Sequence, residues 1–153
     1  MQARMTNPAY VLPGAMKGIG TLLQAIGESG LPQELVEIVG LRASQINGCS
    51  ACVHGHTVNL RKAGASDERI DAVAAWREAP YFTDAERAAL QLTESVTRLA
   101  DRSHESVPDT LWDEVADHFA EKELSALILL IGVMNLFNRV NTTIKEPAGT
   151  TWG

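Results

Sequence analysis

The spacing of the apolar residues is the feature that most constrains the fold of this chain. Over most of the sequence they recur every three or four positions, as on one face of a helix, and no segment keeps up the alternation of a strand. The one Asn-Gly pair, Asn47-Gly48, lies between two segments of helical spacing and not between β-branched runs. The pattern therefore predicts an all-α protein without a sheet.

About seven helices are predicted from this spacing and from residues that typically begin or end helices. Pro32 stands at a plausible first helical position, and Gly64 follows a predicted helix end. Ser66 and Thr83 are predicted N-caps, and Glu86 completes a capping box with Thr83. The predicted helices cover residues 15–30, 32–46, about 47–63, 67–79, 83–99, 108–119 and 122–142.

The length and composition fit one globular domain. The chain has 153 residues, of which 45% are apolar and 21% are charged, and neither a linker nor an internal repeat divides it. We expect a single-domain helical bundle with its core in residues 31–143, an N-terminal segment with one helix in residues 1–30 and a tail in residues 144–153. The inward faces of the later helices are expected to include Leu99 and Trp112.

Charge and hydropathy argue against two classes of partner. The net charge of −6 leaves no basic stripe to neutralise nucleic-acid phosphates. The apolar stretch 126–134 is far shorter than the roughly 20 residues that cross a bilayer, so a buried helix is expected there and no membrane span. The N-terminal sequence lacks the apolar core of a signal peptide, and a cytoplasmic location is expected.

Both cysteines of the chain and two of its four histidines lie within eight positions, in the segment INGCSACVHGH. On a helix that turns about 100° per residue, Cys49 and Cys52 are about 60° apart and Cys52 and His56 about 40° apart. These three therefore share one face, whereas His54 points elsewhere. Because a helix start stabilises a thiolate, the spacing predicts a dithiol that can close to a disulfide beside an acid–base group.

Three alternatives to a redox dithiol have to be weighed. Zinc would need ligands from another subunit, because one helix cannot place two cysteines and two histidines tetrahedrally around an ion. Haem attachment requires a histidine directly after the second cysteine, where this chain has Val53. Two buried, inert thiols are the plainest alternative, since cysteine packs as a small apolar residue. The dithiol is preferred because two cysteines and a histidine rarely share one face at a helix start by chance.

Glu37 is predicted to lie beside this cluster. If Asn47-Gly48 turns the chain into an antiparallel helical hairpin, residue 37 faces about residue 58, within one helical turn of His56. A partly buried carboxylate there would reach His56 and act as a base directly or through one water. An exposed surface carboxylate is the alternative.

The segment from Glu37 through NGCSACVHGHTVNLRKAG resembles the AhpD-like branch of the carboxymuconolactone decarboxylase family, which consists of all-helical alkylhydroperoxidases. The family pattern is a glutamate followed, about a dozen residues later, by C-x-x-C-x-x-x-H. Glu37, Cys49, Cys52 and His56 fall on these positions. The best-known members carry a further histidine between the two cysteines, where this chain has Ala51.

The resemblance implies a catalytic cycle for these residues. Cys52 would attack the O–O bond of a peroxide and become a sulfenic acid, and Cys49 would resolve it to a disulfide. Glu37 and His56 would move the proton that activates Cys52. The helix end alone favours Cys49 as the more acidic thiol, so the assignment of the attack to Cys52 depends on the relay and on the resemblance.

The predicted function is thus a dithiol-dependent peroxidase that needs neither a metal nor a flavin cofactor. The resemblance implies an external thiol reductant of lipoyl or thioredoxin type, and the decarboxylase reaction is not expected because the decarboxylases lack the dithiol. A protein or small-molecule disulfide oxidoreductase and a non-enzymatic redox sensor are the alternatives. The run 126–134 is apolar on all sides, which together with the resemblance predicts a homo-oligomer, a trimer or a hexamer.

Overall fold

A computed structural model describes residues 2–104 and 106–150, and within these ranges all regular secondary structure is helical. The all-α prediction is confirmed. Residues 151–153 of the predicted tail and Met1 of the N-terminal segment lie outside the described residues. The helices are α1 (Pro8–Val11), α2 (Ala15–Gly27), α3 (Gln33–Asn47), α4 (Ser50–Lys62), α5 (Asp67–Ala72), α6 (Asp84–Thr97), α7 (Asp109–His118) and α8 (Glu121–Ile144), with a 3-10 helix (Val73–Ala75) after α5.

The helix boundaries differ from the predicted ones mainly in two places. The N-terminal segment contains a second helix, α1, whose four residues are too few to show a periodic pattern. The predicted helix 67–79 is α-helical only as far as Ala72 and then tightens into the 3-10 helix. The predicted N-caps are confirmed, because the Ser66 hydroxyl accepts the N–H of Arg69 and Thr83 forms a capping box with Glu86.

Helix α3 lies between two apolar clusters and packs against α4, α6 and α8. Leu35 and Val39 face the cluster formed with α6, α7 and α8. Ile38 and Leu41 face the second cluster, formed with α4, the α5 region and α6. Because α3 is covered on both sides, apolar residues occur on most of its circumference, and its position fixes the elements on either side of it.

Helix α8 contains the apolar run that was expected to be buried. Its inner face is fully buried at Leu127, Leu130 and Ile131, whereas Ile128 and Leu129 on the outer face are 40% and 49% exposed. Residues Glu121–Ile144 are long and apolar enough to cross a membrane by length and composition, but a core helix passes the same test, and 44% of the most apolar window is buried inside the protein. The expected burial therefore holds for the inner face only.

Two residues predicted to face the core are exposed. Helix α6 ends at Thr97, so Leu99 lies beyond the helix and no longer follows its periodicity; its side chain is 45% exposed. Trp112 follows the buried Leu111 and is therefore about 100° away from it around α7. Its side chain is 43% exposed, whereas Val115, one turn after Leu111, is buried.

The Glu94 carboxylate joins α6 to two other parts of the chain. It accepts hydrogen bonds from Trp76 Nε1 at 2.8 Å and Arg42 Nε at 2.8 Å, and it pairs with Arg77 Nη1 at 2.7 Å. Burial opposes the ionisation of Glu94, but the hydrogen bonds from Trp76, Arg77 and Arg42 outweigh it and hold the pKa of Glu94 below its ordinary value.

We expect this carboxylate to make the stability of the protein acid-sensitive. Because the pKa of Glu94 is lower in the folded state, its contribution is complete above the unfolded value, near 4.5, and is lost as the pH falls through the folded value. Glu94→Gln should therefore lower the free energy of unfolding by about 2 kcal/mol at neutral pH, and by progressively less as the pH falls below the unfolded value.

Urea unfolding of both proteins across this pH range tests the prediction. Glu114→Gln, at an exposed position of α7, is the matched control and should have little effect at any pH. A Glu94→Gln difference that stays constant from neutral to acid pH would contradict the prediction.

Candidate active site

The turn at Gly48 brings the two halves of the predicted site together. Gly48 ends α3 in the left-handed backbone region (φ 68°), which glycine adopts without a steric cost. Helix α4 begins two residues later and packs along α3. The predicted helical hairpin is therefore present, and residues of α3 that precede the turn by about ten positions face residues of α4.

Cys49 and Cys52 are joined by a disulfide at the start of α4, with their Cα atoms 5.3 Å apart. Cys49 is the N-cap of α4 and not a residue of its first turn, and its Sγ accepts the backbone N–H of Cys52 at 3.3 Å. The two residues are only 2% and 8% exposed. The sulfur of Cys49 thus lies at the positive end of the helix, where a thiolate is stabilised.

Glu37 lies on α3, and its carboxylate is turned toward α4. Its Oε2 is 2.7 Å from Nδ1 of His56. Gln33 Nε2 donates to Oε1 at 2.8 Å, and Asn59 Nδ2 is 3.3 Å from both oxygens. Glu37 is 6% exposed, so the expectation of a partly buried carboxylate near His56 is correct and the exposed alternative is wrong.

The contact with Glu37 determines the roles of the two His56 nitrogens. A carboxylate accepts a hydrogen bond, so Nδ1 carries a hydrogen, and in the neutral imidazole Nε2 is the nitrogen with the free lone pair. His56 lies one turn after Cys52 on α4, but in the disulfide form no hydrogen bond joins its ring to either sulfur. A proton passed from Cys52 to His56 would therefore have to cross this gap after the disulfide opens, directly or through one water.

Gly40 provides the space that the His56 ring occupies. A Cβ atom at Gly40 would lie 2.3 Å from Cε1 of His56 and 2.6 Å from its Nε2, far inside van der Waals contact. Any other residue at this position would displace the imidazole. Gly40 comes one turn after Glu37 on α3, and this spacing is a signal that the sequence analysis did not use.

Helix α8 contributes Asn141, which no sequence pattern indicated. Its Nδ2 donates to Sγ of Cys52 at 3.4 Å, and the residue is 4% exposed. Asn141 is 89 residues from Cys52 along the chain, so only the folded structure brings the two together. Asn59 was also missed, although it lies three residues after His56 on the same helix.

A buried polar network joins α3 to α8 near this site. The Ser44 hydroxyl donates to the carbonyl of Gly40 at 2.7 Å and accepts from Asn138 Nδ2 at 2.9 Å. Asn47 Nδ2 donates to Asn138 Oδ1 at 2.8 Å. Ser44 and Asn138 are fully buried, and within the described residues no buried side-chain polar atom lacks a partner.

A cavity of about 260 Å³ borders the Cys49 side of the disulfide. Its lining contains one positive and one negative side chain, so it has no single charge preference. The lining residues are Gly48, Cys49, Ser50, Asn141, Thr142, Lys145 and Glu146.

Within the part of the chain that the structure describes, the candidate ligands of a zinc site are not brought together. His54 is exposed and belongs neither to the Glu37–His56 pair nor to the cavity lining. In residues 2–104 and 106–150 no group of three His, Cys, Asp or Glu side chains lies close enough to hold a metal ion. A zinc site would therefore still need ligands from another subunit.

Comparison with known proteins relates this geometry to a family. The sequence profile of the Carboxymuconolactone decarboxylase family matches residues 13–95. The uncharacterised protein YdfG of Bacillus subtilis (strain 168) is 31% identical over 140 residues, which cover 92% of this chain and 93% of YdfG. The alkyl hydroperoxide reductase AhpD of Methylobacterium sp. (strain 4-46) is 36% identical over 67 residues, 44% of this chain and 36% of that protein.

A solved structure shares the whole fold. The crystal structure of the protein of unknown function ATU0492 from Agrobacterium tumefaciens superimposes with a TM-score of 0.87 at 31% identity, covering 98% of this chain and 100% of that one. The profile match includes α3, α4 and all four residues of the predicted site. The chain therefore belongs to the carboxymuconolactone decarboxylase family, as an AhpD-like member.

Proposed function

We propose that the protein is a dithiol-dependent peroxidase that reduces peroxides through its Cys49–Cys52 pair. The observation that carries the proposal is the position of this pair at the start of α4, with His56 one turn further along the same helix and paired with Glu37 of α3. A thiol that can become a thiolate, a second thiol within bonding distance and a proton acceptor are the parts that such a reaction requires.

The proposed cycle has three steps. The Cys52 thiolate attacks one peroxide oxygen, and the O–O bond breaks. Cys52 becomes a sulfenic acid, and the alcohol or water leaves with the proton that His56 took from Cys52. The Cys49 thiol attacks that sulfur, and the disulfide forms with release of water. A donor dithiol then reduces the disulfide by two thiol–disulfide exchanges and is itself oxidised to a disulfide. Glu37 holds His56 in place to accept the proton of Cys52.

The cavity beside Cys49 supports an external donor. Cys49, which is otherwise almost fully buried, lines this cavity, and a volume of about 260 Å³ admits a small thiol or a side chain on a flexible arm. The relative named alkyl hydroperoxide reductase AhpD favours a peroxide as the substrate. A disulfide oxidoreductase or a redox sensor would use the same disulfide without peroxide turnover.

Peroxide consumption in the presence of dithiol donors tests the function. With hydrogen peroxide or tert-butyl hydroperoxide and a panel that includes dihydrolipoamide and thioredoxin, we expect many turnovers per chain with at least one donor. Consumption of a single equivalent would favour a redox sensor, and disulfide exchange without peroxide consumption would favour an oxidoreductase.

The two cysteine variants separate attack from resolution. Cys52→Ser should abolish the reaction with peroxide, whereas Cys49→Ser should still form a sulfenic acid that dimedone traps but should not turn over. Mass spectrometry after dimedone treatment should detect the adduct in Cys49→Ser and no adduct in Cys52→Ser. The reverse pattern would assign the attack to Cys49 and would show that the helix end outweighs the proton relay.

Gly40→Ala is expected to remove the histidine from the reaction without breaking α3. Alanine favours the helix, but its methyl group takes the position of the His56 ring, so the ring must leave Glu37. Loss of a general base typically costs about a hundredfold in rate, and we expect a fall of about this size in peroxidase turnover.

Gly55→Ala is the matched control, because a Cβ atom at Gly55 on α4 meets no neighbour within 4 Å. This variant should keep the turnover of the wild type. Circular dichroism should show helical spectra for both variants. Unchanged turnover in folded Gly40→Ala would remove the Glu37–His56 pair from the mechanism.

We further propose that the protein is a homo-oligomer that uses the outer face of α8. Ile128, Leu129 and Leu136 are 40%, 49% and 45% exposed, and with Gly132 they form one continuous apolar strip along this helix. An apolar strip of this kind on a protein of modest size is best covered by another subunit. A second copy of the chain is the occupant that the family resemblance favours.

Leu129→Glu should disrupt this assembly, because it places a charge at the centre of the apolar strip. Light scattering at micromolar concentration should give a multiple of the 16.5 kDa chain mass for the wild type and a smaller mass for the variant. Tyr81→Glu, at a position that is 45% exposed before α6, is the control and should keep the wild-type mass. A monomeric wild type would contradict the proposal.

A further inference from the structure

We propose that Asn141 is a catalytic residue that stabilises the Cys52 thiolate through its side-chain amide, and that Asn7 sets the orientation of this amide. The proposed function supplies the reaction in which that thiolate takes part. The assignment itself concerns the environment of one sulfur atom, so it is tested without peroxide turnover.

The two sulfurs of the disulfide have different hydrogen-bond donors. Cys49 Sγ receives the backbone N–H at the start of α4, whereas Cys52 Sγ receives the Nδ2 amide of Asn141 at 3.4 Å. Asn141 is 4% exposed, so its amide does not exchange this contact for bulk water. A hydrogen bond to sulfur is weak while the sulfur is neutral and becomes charge-assisted when the sulfur is a thiolate. Asn141 therefore provides the Cys52 sulfur with a hydrogen-bond donor, as the start of α4 does for the Cys49 sulfur.

The orientation of the Asn141 amide follows from a chain of hydrogen bonds that begins at a backbone group. The N–H of Ala9 can only donate, and it donates to Asn7 Oδ1 at 3.0 Å, so the Nδ2 group of Asn7 points the other way. That Nδ2 group donates to Asn141 Oδ1 at 3.3 Å. The oxygen of Asn141 is thereby engaged, and its Nδ2 group is the end that faces Cys52.

The N-terminal segment is fixed to the end of α8, which keeps Asn7 in position. The N–H of Arg4 donates to the carbonyl of Ile144 at 2.7 Å, and Arg4 Nη1 donates to the carbonyl of Thr143 at 3.2 Å. Asn7 is itself buried as the N-cap of α1. Residues 4–9 thus form a support for an amide that acts on a sulfur of α4.

This arrangement also indicates the direction in which the disulfide opens. A donor thiolate in the cavity attacks Cys49 Sγ and forms a mixed disulfide with it, the Cys49–Cys52 bond breaks, and its electron pair passes to Cys52 Sγ. The second thiol of the donor then displaces Cys49 and completes the donor disulfide. The amide of Asn141 is already placed at the sulfur that takes the charge, so no reorganisation is needed at that moment.

Other charged groups near the sulfurs are left unchanged by the substitutions that test this role. His56 follows Cys52 on α4 and is paired with Glu37, and Lys145 and Glu146 line the cavity on the side of Cys49. If replacement of Asn141 shifts the alkylation midpoint of Cys52 only, the shift therefore measures the effect of the amide itself.

The test measures the pH dependence of alkylation in single-cysteine proteins. In the Cys49→Ser background, Asn141→Ala should move the midpoint of Cys52 alkylation upward by about one pH unit, which is about a tenfold lower thiolate fraction at a pH below the midpoint. In the Cys52→Ser background, the same replacement should leave the curve of Cys49 unchanged. Asn141→Asp, which keeps the shape of the side chain, should also raise the midpoint of Cys52.

The role of Asn7 is tested by a substitution that does not touch the sulfur. Asn7→Asp keeps the N-cap but presents a second acceptor to Asn141, so the Asn141 amide should turn its oxygen toward Cys52 and the midpoint should rise. Asn7→Ser keeps the cap without that acceptor and should have a smaller effect. In the Asn141→Ala background, Asn7→Asp should shift the Cys52 midpoint much less than it does when Asn141 is present.

An unchanged Cys52 midpoint in folded Asn141→Ala and Asn141→Asp proteins would overturn the proposal, and so would equal shifts at both cysteines. An additive effect of Asn7→Asp in the Asn141→Ala background would overturn the orienting role of Asn7. Because alkylation uses no peroxide, these outcomes are independent of whether the protein turns peroxide over.

Discussion

The close packing of α3 against α4 is the contact on which the candidate site depends. The two helices approach until the His56 ring occupies the space that a side chain at position 40 would need, and this is possible only because that residue is glycine. The approach brings the Glu37 carboxylate within 2.7 Å of the imidazole and excludes most solvent from both. A wider helix pair would leave the same residues on facing surfaces with water between them, and the orientation of the imidazole would be lost.

The site is assembled from three levels of the structure. The disulfide and His56 belong to a single helix and its cap, so local geometry places them. Glu37 is added by the hairpin, which requires the turn at Gly48 and the close helix approach at Gly40. Asn141 is added by the packing of α8, which requires the complete fold. The Glu37–His56 pair therefore forms with the hairpin, whereas the environment of the Cys52 sulfur is complete only when α8 is in place.

These levels also explain what could be predicted from the sequence. The common face of Cys49, Cys52 and His56 follows from helical spacing, and the place of Glu37 follows from counting outward from a turn. Asn141 could not be found in this way, since one asparagine among several in an apolar helix carries no signal of what lies opposite. Leu99 and Trp112 were assigned to the core wrongly because an apolar residue near a helical stripe does not reveal where the helix ends or how wide the stripe is.

The buried network of Ser44, Asn138 and Asn47 has a consequence for how α8 can move. A helix made mostly of leucine and isoleucine could exchange one set of apolar contacts for another by sliding one turn, about 5.4 Å, at little cost. Here such a slip would leave buried amides and a hydroxyl without partners, at about 1–3 kcal/mol for each group. The network thus holds α8 in one register against α3, which the apolar contacts alone would not do. Asn141 comes one turn after Asn138 on α8. The register that Asn138 sets therefore also fixes, to within a fraction of a helical turn, the distance between the Asn141 amide and the Cys52 sulfur.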